Sequence, residues 1–336
     1  MESVTNRSDT TVASYWLNWR FFLCAIWILA TMVVGSYIIW KYEGSDDFKP
    51  DTDEAQQETV HLREDDTWRP CIEEIHPVWL LAFRIFAFWL LLVLLILDIS
   101  IHGVALFCFY TQWTLILLSF YFGFGSVLSI HGCCKHNQIH GAFYGHCEGV
   151  DAERGSYVPP PHEDNTTVSG TGEKLYYREE NHSHESSGIS NYIFQILFQM
   201  CAGAVMLTDC VYWFILFPLL TLNSHTPNVL AVSIHSLNAF MLLGDTILNS
   251  LCFPWFRIGY FILWTGFFVI FQWIIHFFVS IRWPYPFMDL SLPYAPLWYV
   301  AVGVMHAPCY GVFALLVRLK YCLLRRYFPR SSEHAR

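Results

Sequence analysis

Residues 78–97 read VWLLAFRIFAFWLLLVLLIL, twenty positions with one charge, Arg84. As an α-helix such a run is about 30 Å long at 1.5 Å per residue, which matches the hydrocarbon core of a bilayer. Six more stretches of this kind lie at 21–40, 104–128, 192–217, 228–249, 258–280 and 296–317. The expected fold is therefore all-α, a polytopic membrane bundle of seven transmembrane helices.

Composition agrees with that reading. Hydrophobic residues make up 54% of the chain and charged residues only 14%, a balance that membrane burial explains and a soluble domain rarely shows. The net charge of -9 comes largely from hydrophilic connections such as Asp51-Thr52-Asp53-Glu54 and Glu64-Asp65-Asp66. No basic recognition helix stands out, so nucleic acid is not an expected partner. The eleven cysteines are odd in number and fall mainly inside spans, unlike a secreted disulfide framework. The first stretch follows no cluster of positive charge, exceeds the length of a signal-peptide core and lacks a small-residue cleavage pattern, so it is read as a retained helix.

Positive charge orients the bundle. The tail at 318–336 carries Arg318, Lys320, Arg325, Arg326, Arg330 and Arg336, which places it in the cytosol. The acidic connection 41–77 and the long connection 131–191 then also lie in the cytosol, and residues 1–20 lie outside or in a lumen. Of the nineteen Lys and Arg, only Arg7, Arg20 and Arg282 fall on the outer side, with Arg84 inside a span. Much of 131–191 has little apolar periodicity and is expected to be disordered.

Ionisable side chains at membrane depth are costly and mark candidate sites. Thr111 is expected about 10 Å below the outer end of the third stretch, and His235 at nearly the same depth in the fifth. His276 and Asp209 fall in the outer half of their own spans. A hydroxyl, two imidazoles and a carboxylate in one low-dielectric layer are the parts of a nucleophilic site. Thr needs an adjacent base, for which His is suited, and Asp209, Asn238 or His276 could orient that base. The structural alternative is helix pairing through the same groups. Deeper, Arg84 is expected to snorkel to the interface and Asp245 to pair with His306. The cluster His131-Gly132-Cys133-Cys134-Lys135-His136, with His140 and His146-Cys147, has zinc-type ligands but fits no standard spacing, so no metal or cofactor is expected. Juxtamembrane lipidation of Cys133 and Cys134 is its other reading.

Three segments carry a family resemblance: Phe109-Tyr110-Thr111-Gln112-Trp113, His235 with Asp245 ten positions on, and Trp283-Pro284-Tyr285-Pro286-Phe287. Together they resemble rolling-stone-like proteins and the related androgen-induced and androgen-dependent membrane proteins. The resemblance covers roughly 78 to 317 and leaves the first span as an addition. It implies a multi-pass hydrolase that cleaves fatty acid esters of hydroxy fatty acids, with Thr111 as nucleophile and His235 as base. Two positions depart from the active branch, Val232 where a second His is usual and Thr114 where Asn is common. Rolling-stone-like proteins themselves are associated with cell adhesion and fusion. The alternative function is accordingly non-enzymatic, an adhesion or signalling partner or a carrier using Asp209, Asp245 and His306. The expected partners are the lipid bilayer and a fatty-acyl ester substrate.

The charge-based topology makes a direct prediction. The sequon Asn6-Arg7-Ser8 is accessible to glycosylation, whereas Asn165-Thr166-Thr167 and Asn181-His182-Ser183 are not. Glycan mapping by mass spectrometry checks it, and a glycan on Asn165 would invert the topology.

Overall fold

The computed structural model describes residues 10–43, 67–72, 74–147, 172–218 and 229–328, without the side chains of 136–147 and 172–187. Seven helices within these segments are long and apolar enough to cross a membrane, and the chain is a multi-pass membrane protein. They are α1 (Trp19–Glu43), α2 (Pro77–His102), α3 (Tyr110–Cys147), α4 (Gly172–Val211), α5 (Val229–Leu248), α6 (Ile258–Phe278) and α7 (Ala295–Tyr327).

Local chemistry sets several of the ends. The His76 side chain accepts a hydrogen bond from the Val78 N–H, and Pro77 occupies the first turn of α2, where a missing N–H costs nothing. Gly103, at φ 72°, ends α2 with its N–H on the Ile99 carbonyl. A Cβ would strain that backbone, so a short 3-10 turn, Val104–Cys108, follows and α3 begins only at Tyr110. Thr111 is thus the second residue of its helix. It therefore lies nearer the start of its helix than a span beginning near 104 would place it. α3 and α4 also extend as helices into the expected 131–191 loop, to Cys147 and from Gly172; residues 148–171 and most of the Cys and His cluster's side chains lie outside the described residues.

α4 is the central helix and touches α3, α5, α6 and α7. Its apolar window is 67% buried inside the protein, against 17% for α1 and 22% for α2, which places those two at the periphery. Their outward faces present Ile26, Val33, Trp89 and Ile96 to the surroundings, as lipid-facing helices do. α1 packs against α6 and α7, and α2 against α3 and α5. Where α1 meets α6, a Cβ on Gly259 would lie 2.5 Å from the Gly35 carbonyl oxygen, so the backbones approach closely only because both positions lack side chains.

Arg84 departs from its expected place. Its side chain is fully buried and does not reach an interface. Its Nε donates to Asp245 at 2.8 Å, and its Nη1 donates to the Thr67 carbonyl at 2.7 Å and to Ser129 Oγ at 2.8 Å. Tyr121 and Asn249 donate to the second carboxylate oxygen of Asp245. Asp245 therefore pairs with Arg84 and not with His306, whose Nδ1 lies 2.9 Å from the Val302 carbonyl of its own helix. A cation and an anion on neighbouring helices cancel most of each other's desolvation cost, and that outweighs the stretching needed to reach water. Nearby, Arg257 bonds Glu43 at 2.8 Å and Gln195 at 2.5 Å, tying the start of α6 to α1 and α4.

Asp245→Ala leaves Arg84 charged, buried and unpaired. Its expected cost is about 3–5 kcal/mol, read as a lowered thermal midpoint in detergent. The double change Arg84→Met with Asp245→Leu is expected to recover much of that loss.

Candidate functional site

At the end of the bundle opposite Arg84, the connection between α6 and α7 folds back over the start of α3. The first N–H groups of a helix have no intrahelical acceptor. The Tyr285 hydroxyl fills that place: its oxygen accepts from the Tyr110 N–H at 3.1 Å, and the hydroxyl lies beside Thr111. Phe109 meets the Tyr285 ring edge-on at 5.9 Å, and Phe287 stacks on it at 5.2 Å. The segments 109–113 and 283–287 are therefore in contact, although 175 positions separate Tyr110 from Tyr285. Burial raises the pKa of Tyr285, which keeps the phenol protonated.

His235 is the seventh residue of α5 and is nearly buried. Its Nδ1 lies 3.1 Å from Asp209 Oδ1 of α4. An ionised Asp209 accepts from Nδ1–H, which leaves the lone pair on Nε2. The ring also stacks on Tyr212 with centroids 3.8 Å apart and planes within 10°. Tyr212 opens the π-helical turn Tyr212–Leu216 at the end of α4, an irregularity of a kind often found at functional sites. Two independent contacts therefore fix the orientation of this imidazole.

Thr111, His235 and Tyr285 line one cavity of about 120 Å³ among α1, α3, α4, α5, α6 and α7. Its walls are mostly aromatic and aliphatic, and no Lys, Arg, Asp or Glu is among its lining residues. The lining residues Trp27, Thr31, Gly266, Gly303 and His306, on α1, α6 and α7, make up a second side of the cavity, its second arm. The Trp27 indole N–H is buried there with no hydrogen-bond partner among the described residues. A cavity of this character suits an apolar ligand with a few neutral oxygens.

The four residues of the expected layer divide. Thr111 and His235 share the cavity, and Asp209 stands behind His235. His276 does not line the cavity: its ring stacks on Trp283 at 3.7 Å, and its Nδ1 is 2.8 Å from the Gln272 carbonyl. Asn238 is buried away from the cavity, with no partner for either amide atom among the described residues. Tyr285 and Tyr212 were not singled out by sequence as site residues; Tyr285 enters there only as part of the segment Trp283-Pro284-Tyr285-Pro286-Phe287. Its place between two prolines, which restrict the backbone on both sides, is the local signal that sets it apart.

No family model, curated protein or solved structure matches this chain.

The cavity itself can be closed from its second arm. A Cβ at Gly303 would lie 2.7 Å from Trp27 Nε1, so Gly303→Leu must push the indole or fill the arm. Uptake of a fluorescent fatty-acyl probe by the purified protein is expected to fall by about tenfold or more, a change that the loss of a few apolar contacts produces.

Proposed function

We propose that the chain is an intramembrane lipid-ester hydrolase, acting on fatty acid esters of hydroxy fatty acids through a Thr nucleophile and a His base. The observation that carries this reading is the single apolar cavity holding both Thr111 and His235, with Asp209 hydrogen-bonded to the far side of the imidazole. Thr is weakly nucleophilic at its free pKa and needs this arrangement of base and orienting group. The three segments that carry the family resemblance supply both reacting side chains.

The chemistry runs as acyl transfer. The substrate's acyl chain enters the apolar cavity from the membrane and brings its ester to Thr111. His235 Nε2 removes the hydroxyl proton as Thr111 Oγ1 attacks the carbonyl carbon, and it returns the proton to the departing alcohol. Water then enters and is deprotonated by the same His235 as it attacks the acyl carbon; the fatty acid leaves, and His235 returns the proton to Thr111 Oγ1. Asp209 holds Nδ1–H throughout and stabilises the imidazolium. With the topology read from positive charge, this end of the bundle faces outward, so the substrate enters from the outer leaflet. A carrier built on Asp245 is less favoured, because Arg84 already holds that carboxylate in a closed pair.

A fluorophosphonate probe is expected to label the wild type and not Thr111→Ala. His235→Ala is expected to abolish ester hydrolysis, and Asp209→Asn to lower kcat by about 10²–10⁴ while leaving membrane insertion intact. Undiminished hydrolysis by Thr111→Ala would sink the assignment.

A further inference from the structure

We propose that the Tyr285 hydroxyl is the oxyanion donor of the Thr111 site, a role that rests on the hydrolase reading above. When Thr111 Oγ1 bonds to the ester carbon, the carbonyl π pair moves onto its oxygen and negative charge builds there. An acyl-transfer site needs a fixed donor aimed at that oxygen.

The neighbouring groups narrow the choice. The Tyr110 N–H sits at the right end of α3, but it is spent on the Tyr285 oxygen. It acts through the phenol: a hydroxyl that accepts an N–H bond is polarised and becomes a stronger donor. The proton of that phenol is the one offered to the developing oxyanion. The Tyr110 hydroxyl is engaged with Thr265 Oγ1 at 2.9 Å. Trp27 Nε1 is the one unpartnered buried N–H among the cavity's described lining residues, but it stands in the second arm, on α1. Tyr285 is also rigid, since Phe109 and Phe287 pack on its ring and Pro284 and Pro286 flank it. A donor that needs no reorganisation is what this kind of stabilisation requires.

The step balances without an added reagent. The Oγ1–C bond forms while the proton passes from Oγ1 to His235 Nε2 and the phenol O–H stabilises the charged oxygen. Collapse returns the pair to the carbonyl and breaks the ester C–O bond. The departing alkoxide takes the proton from His235, and Tyr285 keeps its own proton throughout.

The test compares a long-chain acyl ester of 4-nitrophenol with its thionoester, whose sulfur is a poor hydrogen-bond acceptor, using the full-length protein in detergent. Tyr285→Phe is expected to lower kcat for the oxoester by about 10²–10³ with KM little changed, and to reduce the oxoester-to-thionoester preference about tenfold. An equal loss on both esters would make Tyr285 a positioning residue for Thr111 and overturn the donor role. A preference that shifts in Trp27→Phe and not in Tyr285→Phe would assign the role to Trp27 instead. Should Tyr285→Phe fail to fold, 3-fluorotyrosine at position 285 keeps the shape and strengthens the donor. An increased preference for the oxoester supports the proposal, and an unchanged one overturns it. Failure of the underlying hydrolase reading looks different: the wild type cleaves neither ester, or Thr111→Ala cleaves both, and the donor role falls with it.

Discussion

A buried guanidinium organises this bundle. Arg84 has no water to turn to, so its N–H groups take a carboxylate on α5, a hydroxyl on α3 and a carbonyl of the segment before α2. Asp245 in turn gathers Tyr121 and Asn249. Any shift of α2, α3 or α5 relative to the others would strand a charge or a polar group in a medium where each unmet bond costs several kcal/mol. One end of the bundle is closed for that reason. At the opposite end no Lys, Arg, Asp or Glu is among the residues that line the cavity, and there the helices part around an apolar space.

The two ends differ in what their polar side chains face: Arg84 Nη2 also lacks a partner among the described residues, but it is buried in a closed joint. At the Arg84 end both oxygens of the carboxylate are taken, which suits a structural joint. At the cavity end, His235 spends one nitrogen on Asp209, Tyr285 accepts at its oxygen, and Trp27 Nε1 has no partner among the described residues. Partly satisfied groups facing a cavity are available to a ligand. That contrast, more than the identity of any one residue, is the physical ground for locating the site there.

The seven spans were legible because length and apolarity alone determine them. The shared cavity of Thr111 and His235 was reachable from their positions along the spans, although Gly103 and its 3-10 turn delay the start of α3 to Tyr110. Depth says nothing about which way a side chain points around its helix. That is why His276, at a suitable level, stacks on Trp283 outside the cavity, and why Asn238 is turned away from it. Arg84 and Asp245 were misassigned for the same reason. Snorkelling is the default for a lone arginine near a helix end, and only the packing of α2 beside α5 reveals the carboxylate within reach.

The first span changes what the cavity can hold. It lies outside the segments that carry the family resemblance, yet Trp27, Ile28 and Thr31 form one of the cavity's walls. It is not loosely attached. Close backbone packing of Gly35 on Gly259 sets its distance from α6, and the Tyr15 hydroxyl just before it donates to Asp289 at 2.7 Å while accepting from the Trp283 indole and the Leu290 N–H. Those contacts reach the same connection that presents Tyr285. A wall built by α1 and anchored to the loop over Thr111 couples the shape of the second arm to the geometry around Thr111. A six-span bundle without α1 would open that arm to lipid. The α1 wall and the contact between α3 and the Tyr285 loop are therefore parts of one cavity lining.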